Sequence, residues 1–450
     1  MGLTNEARQA ALDLARRGRR MAAQTESAAA PTTRGEAPQN AMSAEARPPR
    51  RARPFSALRE HQELAAMRAF AEAAEIETPF FRLHEGRSGA RARIGGREVL
   101  NFASYDYLGL NGDPRVRDAA KQAIDLYGVS ACASRPTAGE RPVHQALETA
   151  LARFFGLPAA LTFVSGHATN VSTIGTLVGP RDLLLTDQLC HNSIITGATL
   201  SGAARRVFPH NDLAALRDML ERDRDAFENA LIVVEGVYSM DGDHPDLPGL
   251  LALKEEFGAW LMVDEAHALG VLGARGRGLA EHFDVDPNMV DIWMGTLGKT
   301  LAGCGGYIAG SEALIDILKH HAPGFVYSVA APPAVAAASL AALEILEAEP
   351  ERVARIQEAG RALLEGCRDR GLDTGISFGE AVVPVMTGGS VKAIGLARAL
   401  LSLGVNAAPI IHPAVPEQAA RVRFFVSSEH SLTEIDEALD ALSEAAQTLR

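Results

Sequence analysis

Short apolar runs that alternate with helical stretches constrain the fold of this chain more than any other feature. Each run has four or five residues and is bounded by glycine or polar residues, with room for a helix before the next one. Such alternation is typical of a mainly parallel sheet covered by helices on both faces. The clearest runs are residues 161–164, 231–235, 261–264, 291–294 and 306–309. We therefore predict an α/β fold.

The chain divides into four segments of different composition. With 450 residues it is long for one compact core, so two or three packed units are expected. The N-terminal segment has few large apolar residues and is predicted to be a disordered linker. An amphipathic helix at its start, ending in arginines, could contact a partner or a membrane surface, act as an organelle presequence, or be an inert tail. The predicted segments are 1–55 (linker), 56–103 (N-terminal segment), 104–335 (large domain) and 336–450 (small C-terminal α+β domain).

Charge and cysteine usage narrow the function classes. The net charge is −12 and no basic stripe occurs in the globular part, which argues against nucleic acid as a partner. The cysteines lack metal-like or redox-like spacing, so no metal site is predicted. No apolar run approaches the ~20 residues of a membrane span, and no secretory signal is present. We predict a cytoplasmic protein. The cysteines are Cys132, Cys190, Cys304 and Cys367.

Polar residues follow three of the apolar runs, where a parallel sheet binds its ligands. Ser165-Gly166-His167 follows the first run, and a small-residue turn into a helix favours a phosphate group. A plain strand-to-helix turn would have the same composition. Asp264 ends the third run, with His267 three residues later. This pair could bind a metal, cap a helix, or supply through Asp264 the acidic partner that the pyridine nitrogen of pyridoxal phosphate requires.

Lys299 follows the fourth run among small residues (GTLGKT). A single lysine is most often a solvated surface residue. At a packed strand end, however, desolvation lowers the pKa of a lysine and frees its amine for Schiff-base chemistry. The interval from Asp264 is 299 − 264 = 35 residues, enough for one helix and a return strand. Both side chains are therefore predicted at the same edge of the sheet.

Five segments, in order along the chain, resemble the motifs of the α-oxoamine synthases, which are pyridoxal-phosphate enzymes. The resemblance starts near residue 101, continues to the C-terminus and leaves out residues 1–55. The segments are 101–110 (NFASYDYLGL), 134–156 (SRPTAGERPVHQALETALARFFG), 235–243 (EGVYSMDGD), 263–270 (VDEAHALG) and 296–299 (TLGK).

The resemblance implies a fold-type I transferase, like aspartate aminotransferase, with a large domain on a mainly parallel sheet and a small α+β domain. It also implies a homodimer with active sites shared between subunits. Four residues match catalytic positions of the family: Lys299 as the lysine that binds the cofactor, Asp264 as the pyridinium partner, His191 as the residue stacked on the ring, and His267 as the contact of the ring hydroxyl.

The same resemblance implies further binding residues. Those that match cofactor-binding positions are Gly166, His167, Ser239 and Thr296, and in the segment that reaches the partner's phosphate Ser328 could substitute for the hydroxyl residue that is frequent at position 329. Those assigned to the substrate are Arg423, Tyr105 and His144, although His144 could instead support the structure. Arg421 and Arg423 lie two apart in a predicted strand and share a face, so only the motif selects Arg423.

The implied reaction is a decarboxylative Claisen condensation. An amino acid and an acyl thioester, carried by CoA or an acyl carrier protein, would give an α-amino ketone, CO2 and the free thiol. Tyr105 and Tyr238 are similar to serine palmitoyltransferases, which predicts serine ahead of alanine or glycine. The alternatives are 8-amino-7-oxononanoate synthase or 2-amino-3-ketobutyrate CoA ligase activity.

Several positions bear on the subgroup within the family. Residues 411–416 (IHPAVP) lack the arginine that serine palmitoyltransferases and oxononanoate synthases tend to carry, and Val329 stands where a hydroxyl residue is frequent. Residues 235–328 are most similar to synthases of polyketide and fatty-acid assembly lines, in lipid or secondary-metabolite biosynthesis. An aminotransferase or lyase would need no thioester, and a non-catalytic subunit would be expected to lack Lys299. Both are weaker hypotheses.

Overall fold

The computed structural model describes residues 52–73 and 77–447. Contacts divide the chain into two compact units, Met1–Phe81 and Arg82–Arg450. In the first unit helix α1 spans Arg59–Ala73. Of the predicted linker segment 1–55, residues 1–51, including the predicted amphipathic helix, lie outside the described residues.

A seven-stranded sheet forms the centre of the second unit. Its strand order is β4-β10-β9-β8-β7-β5-β6, and β10 alone runs antiparallel to its neighbours within this sheet. The mainly parallel sheet predicted from the sequence is therefore confirmed. The strands are β4 (Ala159–Phe163), β5 (Leu183–Asp187), β6 (Ala204–Phe208), β7 (Ala230–Glu235), β8 (Trp260–Asp264), β9 (Ile292–Thr296) and β10 (Gly306–Gly310).

Burial on both faces explains why these strands read as unbroken apolar runs. Every residue of β5, β7 and β10 is buried. Along β7, Leu231 and Val233 pack into one hydrophobic cluster and Ile232 and Val234 into the other, as the alternation of side chains along a strand requires. Both faces of β5 and β7 are covered, and their charged residues, Asp187 and Glu235, lie at the strand ends.

Helices alternate with these strands along the chain and cover the sheet. The helix after β4 begins at Gly166, capped by the Ser165 hydroxyl, which accepts a hydrogen bond from the Ala168 N–H at 3.3 Å. The helices are α2 (Pro114–Tyr127), α3 (Pro142–Phe155), α4 (Gly166–Leu177), α5 (Asn192–Ser201), α6 (Leu213–Asp223), α7 (Leu247–Phe257), α8 (Leu279–His282), α9 (Glu312–His321), α10 (Pro323–Val326), α11 (Pro333–Ala348), α12 (Glu351–Asp369), α13 (Ser390–Ser402) and α14 (Leu432–Gln447).

Two smaller sheets contain the remaining strands. One is antiparallel, in the order β11-β14-β13, and carries two buried arginines on its central strand. The other, β1-β2-β3-β12, pairs an early hairpin with a strand near the C-terminus through the parallel contact of β3 with β12. These strands are β1 (His84–Glu85), β2 (Arg91–Ile94), β3 (Arg97–Asn101), β11 (Val382–Met386), β12 (Val405–Asn406), β13 (Ala408–Ile410) and β14 (Arg421–Phe425).

The predicted boundary between large and small domains, after residue 335, falls inside α11, which packs against both α2 and α3. Residues 82–450 are one unit by their contacts, so the division at 335 stays a prediction. Among the described residues, every helix is too short or too polar to cross a bilayer.

Candidate active site

A cavity of about 230 Å³ lies at the carboxyl edge of the large sheet, where β4, β7, β8 and β9 end. The predicted edge position of Lys299 and Asp264 is confirmed, because both line this cavity. Its lining residues are Gly166, His167, Asn170, His191, Ser193, Glu235, Asp264, Ala266, His267, Met294, Thr296 and Lys299. A larger apolar cleft of about 320 Å³, which includes Trp260 and Ile292, lies at the opposite strand ends and contains few reactive groups.

Lys299 lies in the turn after β9 and is half-buried. Burial lowers the pKa of its amine to about 8, although the carboxylates of Asp264 and Glu235 oppose the shift. The Arg423 charge lowers this pKa further. The Lys299 Nζ atom is 5.8 Å from the ring centre of Tyr105. A useful neutral fraction of this amine is therefore present near neutral pH, as a nucleophile or base requires.

Asp264 ends β8 as a buried carboxylate whose two oxygens are both held. Its Oδ2 accepts a hydrogen bond from Asn170 Nδ2 at 2.8 Å, and its Oδ1 accepts one from the Ala266 N–H at 2.9 Å. Asn170 also donates to the Ser193 hydroxyl at 2.9 Å. This network fixes the carboxylate at the cavity wall, where it can hold a proton on a ligand nitrogen.

His191 is the N-terminal cap of α5 and is exposed toward the cavity. Its Nδ1 accepts a hydrogen bond from the Ser193 N–H at 3.2 Å. The backbone N–H of His191 donates a hydrogen bond to the buried carboxylate of Glu235. Glu235 is paired with Asp264 across the neighbouring strands β7 and β8. Burial and the negative charge of Asp264 raise the pKa of Glu235. Burial lowers the pKa of the His191 imidazole, which favours its neutral form.

His267 is buried below the cavity between two aromatic side chains. Its Nδ1 is 2.5 Å from the Tyr107 hydroxyl oxygen, and its ring is nearly parallel to that of Phe425, with centres 5.9 Å apart. Burial and the charges of Lys299 and Arg423 hold the pKa of His267 well below its ordinary value. The ring is therefore neutral and rigidly oriented.

The first turn of α4 can accept an anion. The N–H groups of Gly166 and His167 have no partner within the helix, because they belong to its first two residues. A Cβ at position 166 would lie 2.9 Å from the Thr296 hydroxyl oxygen, so only glycine fits beside this side chain. The Thr296 hydroxyl donates to the Gly305 carbonyl at 3.0 Å and would have to rotate to donate to a phosphate. With Asp264 and Lys299 nearby, these residues fit pyridoxal phosphate.

Two buried arginines on β14 have different partners. Arg421 Nη1 donates to the Asp241 carboxylate at 2.5 Å and to the Met240 carbonyl at 2.7 Å. Arg423 Nη1 donates to the Ser239 carbonyl at 2.6 Å, and no carboxylate of the described residues pairs with this arginine. Its Nε has no hydrogen-bond acceptor within the described structure. The structure thus distinguishes the roles of the two arginines, which the alternation of side chains along the strand could not do. Arg421 is paired with a carboxylate, whereas Arg423 is available to bind an anionic substrate group.

The other predicted site residues lie at or beyond the margin of the cavity. Tyr105 borders it through Lys299, and the Ser239 backbone contacts Arg423. Ser328 lines a separate small cavity with Arg135, as expected if it serves the partner subunit. His144 is buried with both ring nitrogens bonded to backbone groups, the Arg141 N–H and the Ala331 carbonyl, which supports its structural role over substrate binding.

Asn170, Glu235 and Tyr107 belong to the site but were not predicted from the sequence. Asn170 follows the small-residue turn, and Glu235 ends the second apolar run, so strand-end position was the available signal. Tyr107 lies in the matched segment 101–110 and contacts His267 across 160 residues of sequence. Nothing in its local sequence indicates this contact.

The sequence of this chain is similar to one protein family and to curated proteins of one named activity. The family model described as aminotransferase class I and II matches residues 97–442. An 8-amino-7-oxononanoate synthase of Symbiobacterium thermophilum is 42% identical over 359 residues, which cover 80% of this chain and 91% of that relative.

Solved structures show the same fold. A serine palmitoyltransferase structure with pyridoxal phosphate has a TM-score of 0.84 at 28% identity, covering 88% of this chain and 99% of that one. The 8-amino-7-oxononanoate synthase of Francisella tularensis has a TM-score of 0.68 at 28% identity, covering 78% of this chain and 98% of that one.

Proposed function

The chain belongs to the class I and II aminotransferase family and, within it, to the α-oxoamine synthases, and on this premise we propose that it condenses L-alanine with an acyl thioester. The α-oxoamine synthases are pyridoxal-phosphate-dependent C-acyltransferases. The observation that carries the proposal is the cavity in which Lys299 and Asp264 lie together, with Arg423 nearby and without a carboxylate partner among the described residues.

The named product of the curated relatives supports alanine as the amino acid. In 8-amino-7-oxononanoate, the carbon that carries the amine also carries a methyl group and is bonded to the ketone carbon. Loss of CO2 during condensation gives this unit from alanine, whose side chain supplies the methyl. The rest of that product derives from a dicarboxylic acyl group. The sequence-based preference for serine is not supported by these relatives.

L-serine is the second candidate. The serine palmitoyltransferase structure has the higher TM-score, 0.84 against 0.68 for the oxononanoate synthase. Tyr105, which is similar to serine-using relatives, stands 5.8 Å from the Lys299 amine and so borders the space for the amino-acid side chain. Because residues 411–416 lack the arginine that both kinds of synthase tend to carry, we leave the acyl chain unassigned.

Pyridoxal phosphate would be held by the residues that line the cavity. The α4 N-terminus with Gly166 and His167, helped by Thr296, would bind the phosphate, and Asp264 the ring nitrogen. His191, His267 and Ser239 would contact the ring and its hydroxyl, and Ser328 would reach the phosphate from a partner subunit. When bound, this cofactor supplies the electron sink that stabilises negative charge at the amino-acid Cα.

The protein's own groups would then orient the substrate and move protons. Arg423 would bind the substrate carboxylate by a charge-assisted hydrogen bond. The Lys299 amine, with a pKa of about 8, would remove the Cα proton and later return one to the product. Asp264, fixed by Asn170, would keep the ring nitrogen protonated. The condensation forms a bond between Cα and the thioester carbonyl carbon, expels the thiol, and loses the amino-acid carboxylate as CO2.

Absorbance spectroscopy tests the first half of this proposal. Purified protein freed of unbound pyridoxal phosphate should show the absorbance band of cofactor attached to Lys299, and Lys299→Ala should abolish this band. The control Lys121→Ala, which removes an exposed lysine on α2, should leave the band unchanged. Titration with L-alanine, L-serine and glycine should shift the band most strongly with L-alanine. A protein that stays colourless would refute the catalytic proposal, and a shift with L-serine alone would favour the second candidate.

A thiol-release assay tests the second half. With the preferred amino acid, acyl-CoA and acyl carrier protein donors of several chain lengths should release free thiol and CO2 in equal amounts. Thiol release without CO2 would indicate simple thioester hydrolysis. Transamination of the amino acid with no requirement for a thioester would instead identify an aminotransferase.

A further inference from the structure

Three side chains from separate segments come together outside the cavity. His244 lies in the loop after β7, His282 is the last residue of α8, and Glu380 lies just before β11. Each has one potential ligand atom, and these atoms all lie within 4.8 Å of one another. We propose that this trio, the His244–His282–Glu380 cluster, binds a divalent transition-metal ion of the Zn²⁺ class.

The donor set matches this class of ion. Two imidazole nitrogens and one carboxylate oxygen are borderline ligands that Zn²⁺ accepts, whereas Mg²⁺ and Ca²⁺ prefer oxygen alone. Zn–N and Zn–O bonds of roughly 2.0–2.2 Å require small inward movements of the side chains. His282 is exposed, so water can occupy the fourth position of a tetrahedral site.

The ring of His244 is oriented for coordination. Its Nδ1 lies 3.3 Å from the Pro245 carbonyl oxygen, which can only accept, so this nitrogen carries the hydrogen. The Nε2 lone pair is then available to a metal. A bond from the second ring nitrogen to a backbone carbonyl is the usual arrangement around metal-bound histidines.

The three side chains of the cluster do not form hydrogen bonds or ion pairs with one another. This holds among the described residues even though the ring centres of His244 and His282 are only 4.6 Å apart. The half-buried Glu380 carboxylate accepts no hydrogen bond from the described residues. Phe378 packs against His244 at 4.7 Å and shields one side of the cluster.

The location indicates a structural role for the ion. The loop that carries His244 also carries Ser239, whose carbonyl binds Arg423, and Gly242, whose carbonyl accepts a hydrogen bond from the Phe378 N–H at 3.0 Å. A metal at the cluster would join this loop to α8 and to the segment that enters β11. It would therefore stabilise the loop beside the active site without contacting the substrate.

Calorimetric titration of chelator-treated holoenzyme with Zn²⁺ tests the proposal. We expect one ion per chain, with affinity reduced by about 100-fold or more in His282→Ala, since even outer-shell changes cost 10–100-fold. Glu380→Gln, which keeps size and shape, should weaken binding as well. His320→Ala is the matched control, because His320 is an exposed helical histidine outside the cluster and should not affect binding.

Two further readouts distinguish the proposed site from other metal capture. Zn²⁺ should raise the thermal midpoint of the wild type and of His320→Ala but not that of His282→Ala. Co²⁺ should give the visible bands of a tetrahedral nitrogen and oxygen site, lost in His282→Ala. Unchanged Zn²⁺ binding in His282→Ala would mean capture elsewhere, for example at the exposed Cys132, and would overturn the proposal. Absence of stoichiometric binding to the wild type would do the same. Neither result depends on catalytic activity.

Discussion

Lys299 combines features that oppose each other in their effect on its charge. Burial and Arg423 favour the neutral amine, whereas Asp264 and Glu235 favour the ammonium ion. The result is a pKa of about 8, below the ordinary lysine value of 10.5. A lysine between these limits can hold a proton and still release it, which suits a group that must act as nucleophile and base in turn.

This balance predicts the pH dependence of cofactor attachment. Only the neutral amine reacts, so the rate at which apoenzyme binds pyridoxal phosphate covalently should rise with pH and level off above about 8. Stopped-flow absorbance at a series of pH values measures this midpoint. Glu235→Gln should move it to lower pH, because the Glu235 charge favours the ammonium form. A wild-type midpoint near 10.5, the ordinary lysine value, would contradict the prediction.

The two arginines of β14 should respond differently to substitution. Arg423→Lys should raise the KM for the amino acid by roughly 10–100-fold, as expected from the loss of a charge-assisted hydrogen bond worth ~1.5–3 kcal/mol. Its cofactor spectrum and thermal midpoint should change little. Arg421→Lys, the matched variant, should instead lower stability by weakening the pair with Asp241. Steady-state kinetics and thermal melts separate the two, and a KM effect confined to Arg421→Lys would reverse our assignment.

Residue types and strand ends were enough to predict Lys299 and Asp264, but not the residues that hold them. Asn170 contacts Asp264 across 94 residues, and Tyr107 contacts His267 across 160. Such contacts depend on how strands are ordered in the sheet, which local patterns do not specify. The same reason explains why the His244–His282–Glu380 cluster has no recognisable spacing in the sequence.

At the scale of elements, His210 links the end of β5 to the loop after β7. Its Nδ1 is 2.9 Å from the Asp187 carboxylate and its Nε2 is 2.8 Å from the Asp243 carboxylate. Both carboxylates favour the imidazolium ion and outweigh the effect of burial, so the pKa of His210 rises to about 10. A charged histidine between two acids thus connects the end of β5 to the loop after β7.

This link predicts a pH-dependent contribution to stability. Because the pKa of His210 is higher in the folded state than the ordinary histidine value of 6.5, the stabilisation is fully present below pH 6.5. It should be lost progressively as pH rises from 6.5 toward 10, the interval between these two pKa values. His210→Gln, which cannot become charged, should lack this dependence.

Thermal midpoints of both proteins between pH 6 and pH 10 provide the measurement. The difference between wild type and His210→Gln cancels other titrating groups, including Lys299, whose lowered pKa changes stability in the opposite direction. The difference should be largest at pH 6 and shrink with rising pH. A difference that is constant across this range would show that the two hydrogen bonds stabilise the fold without a charge on His210.

At the scale of the whole molecule, apolar runs predicted five of the seven strands of the large sheet and missed β5 and β6. All five runs coincide with strands of that sheet. The short strands β1 and β12 were missed, because two residues carry no periodic signal. The pairing of β3 with β12 joins residues 97–101 to residues 405–406, so it could not be inferred from neighbouring sequence.

In the predicted dimer, Ser328 would contribute to the active site of the partner subunit. It does not line the Lys299 cavity of its own chain, and it lies between two exposed residues, Tyr327 and Val329. If Ser328 completes the partner's site, Lys299→Ala and Ser328→Asp should each inactivate the homodimer, the latter by placing a negative charge beside the phosphate. Mixed dimers would contain one intact site, formed by Lys299 of one chain and Ser328 of the other. Random mixing in a two-fold dimer should therefore restore roughly a quarter of wild-type activity.

The control for this mixing experiment pairs Lys299→Ala with Asp264→Asn. Both residues line the same cavity of one chain, so a mixed dimer of these variants has no intact site and should stay inactive. Activity in the first mixture but not in the second requires that Ser328 acts across the subunit interface. If neither mixture is active while light scattering shows that subunits have exchanged, Ser328 serves its own chain or none, and the cavity would then have to bind the phosphate with α4 and Thr296 alone.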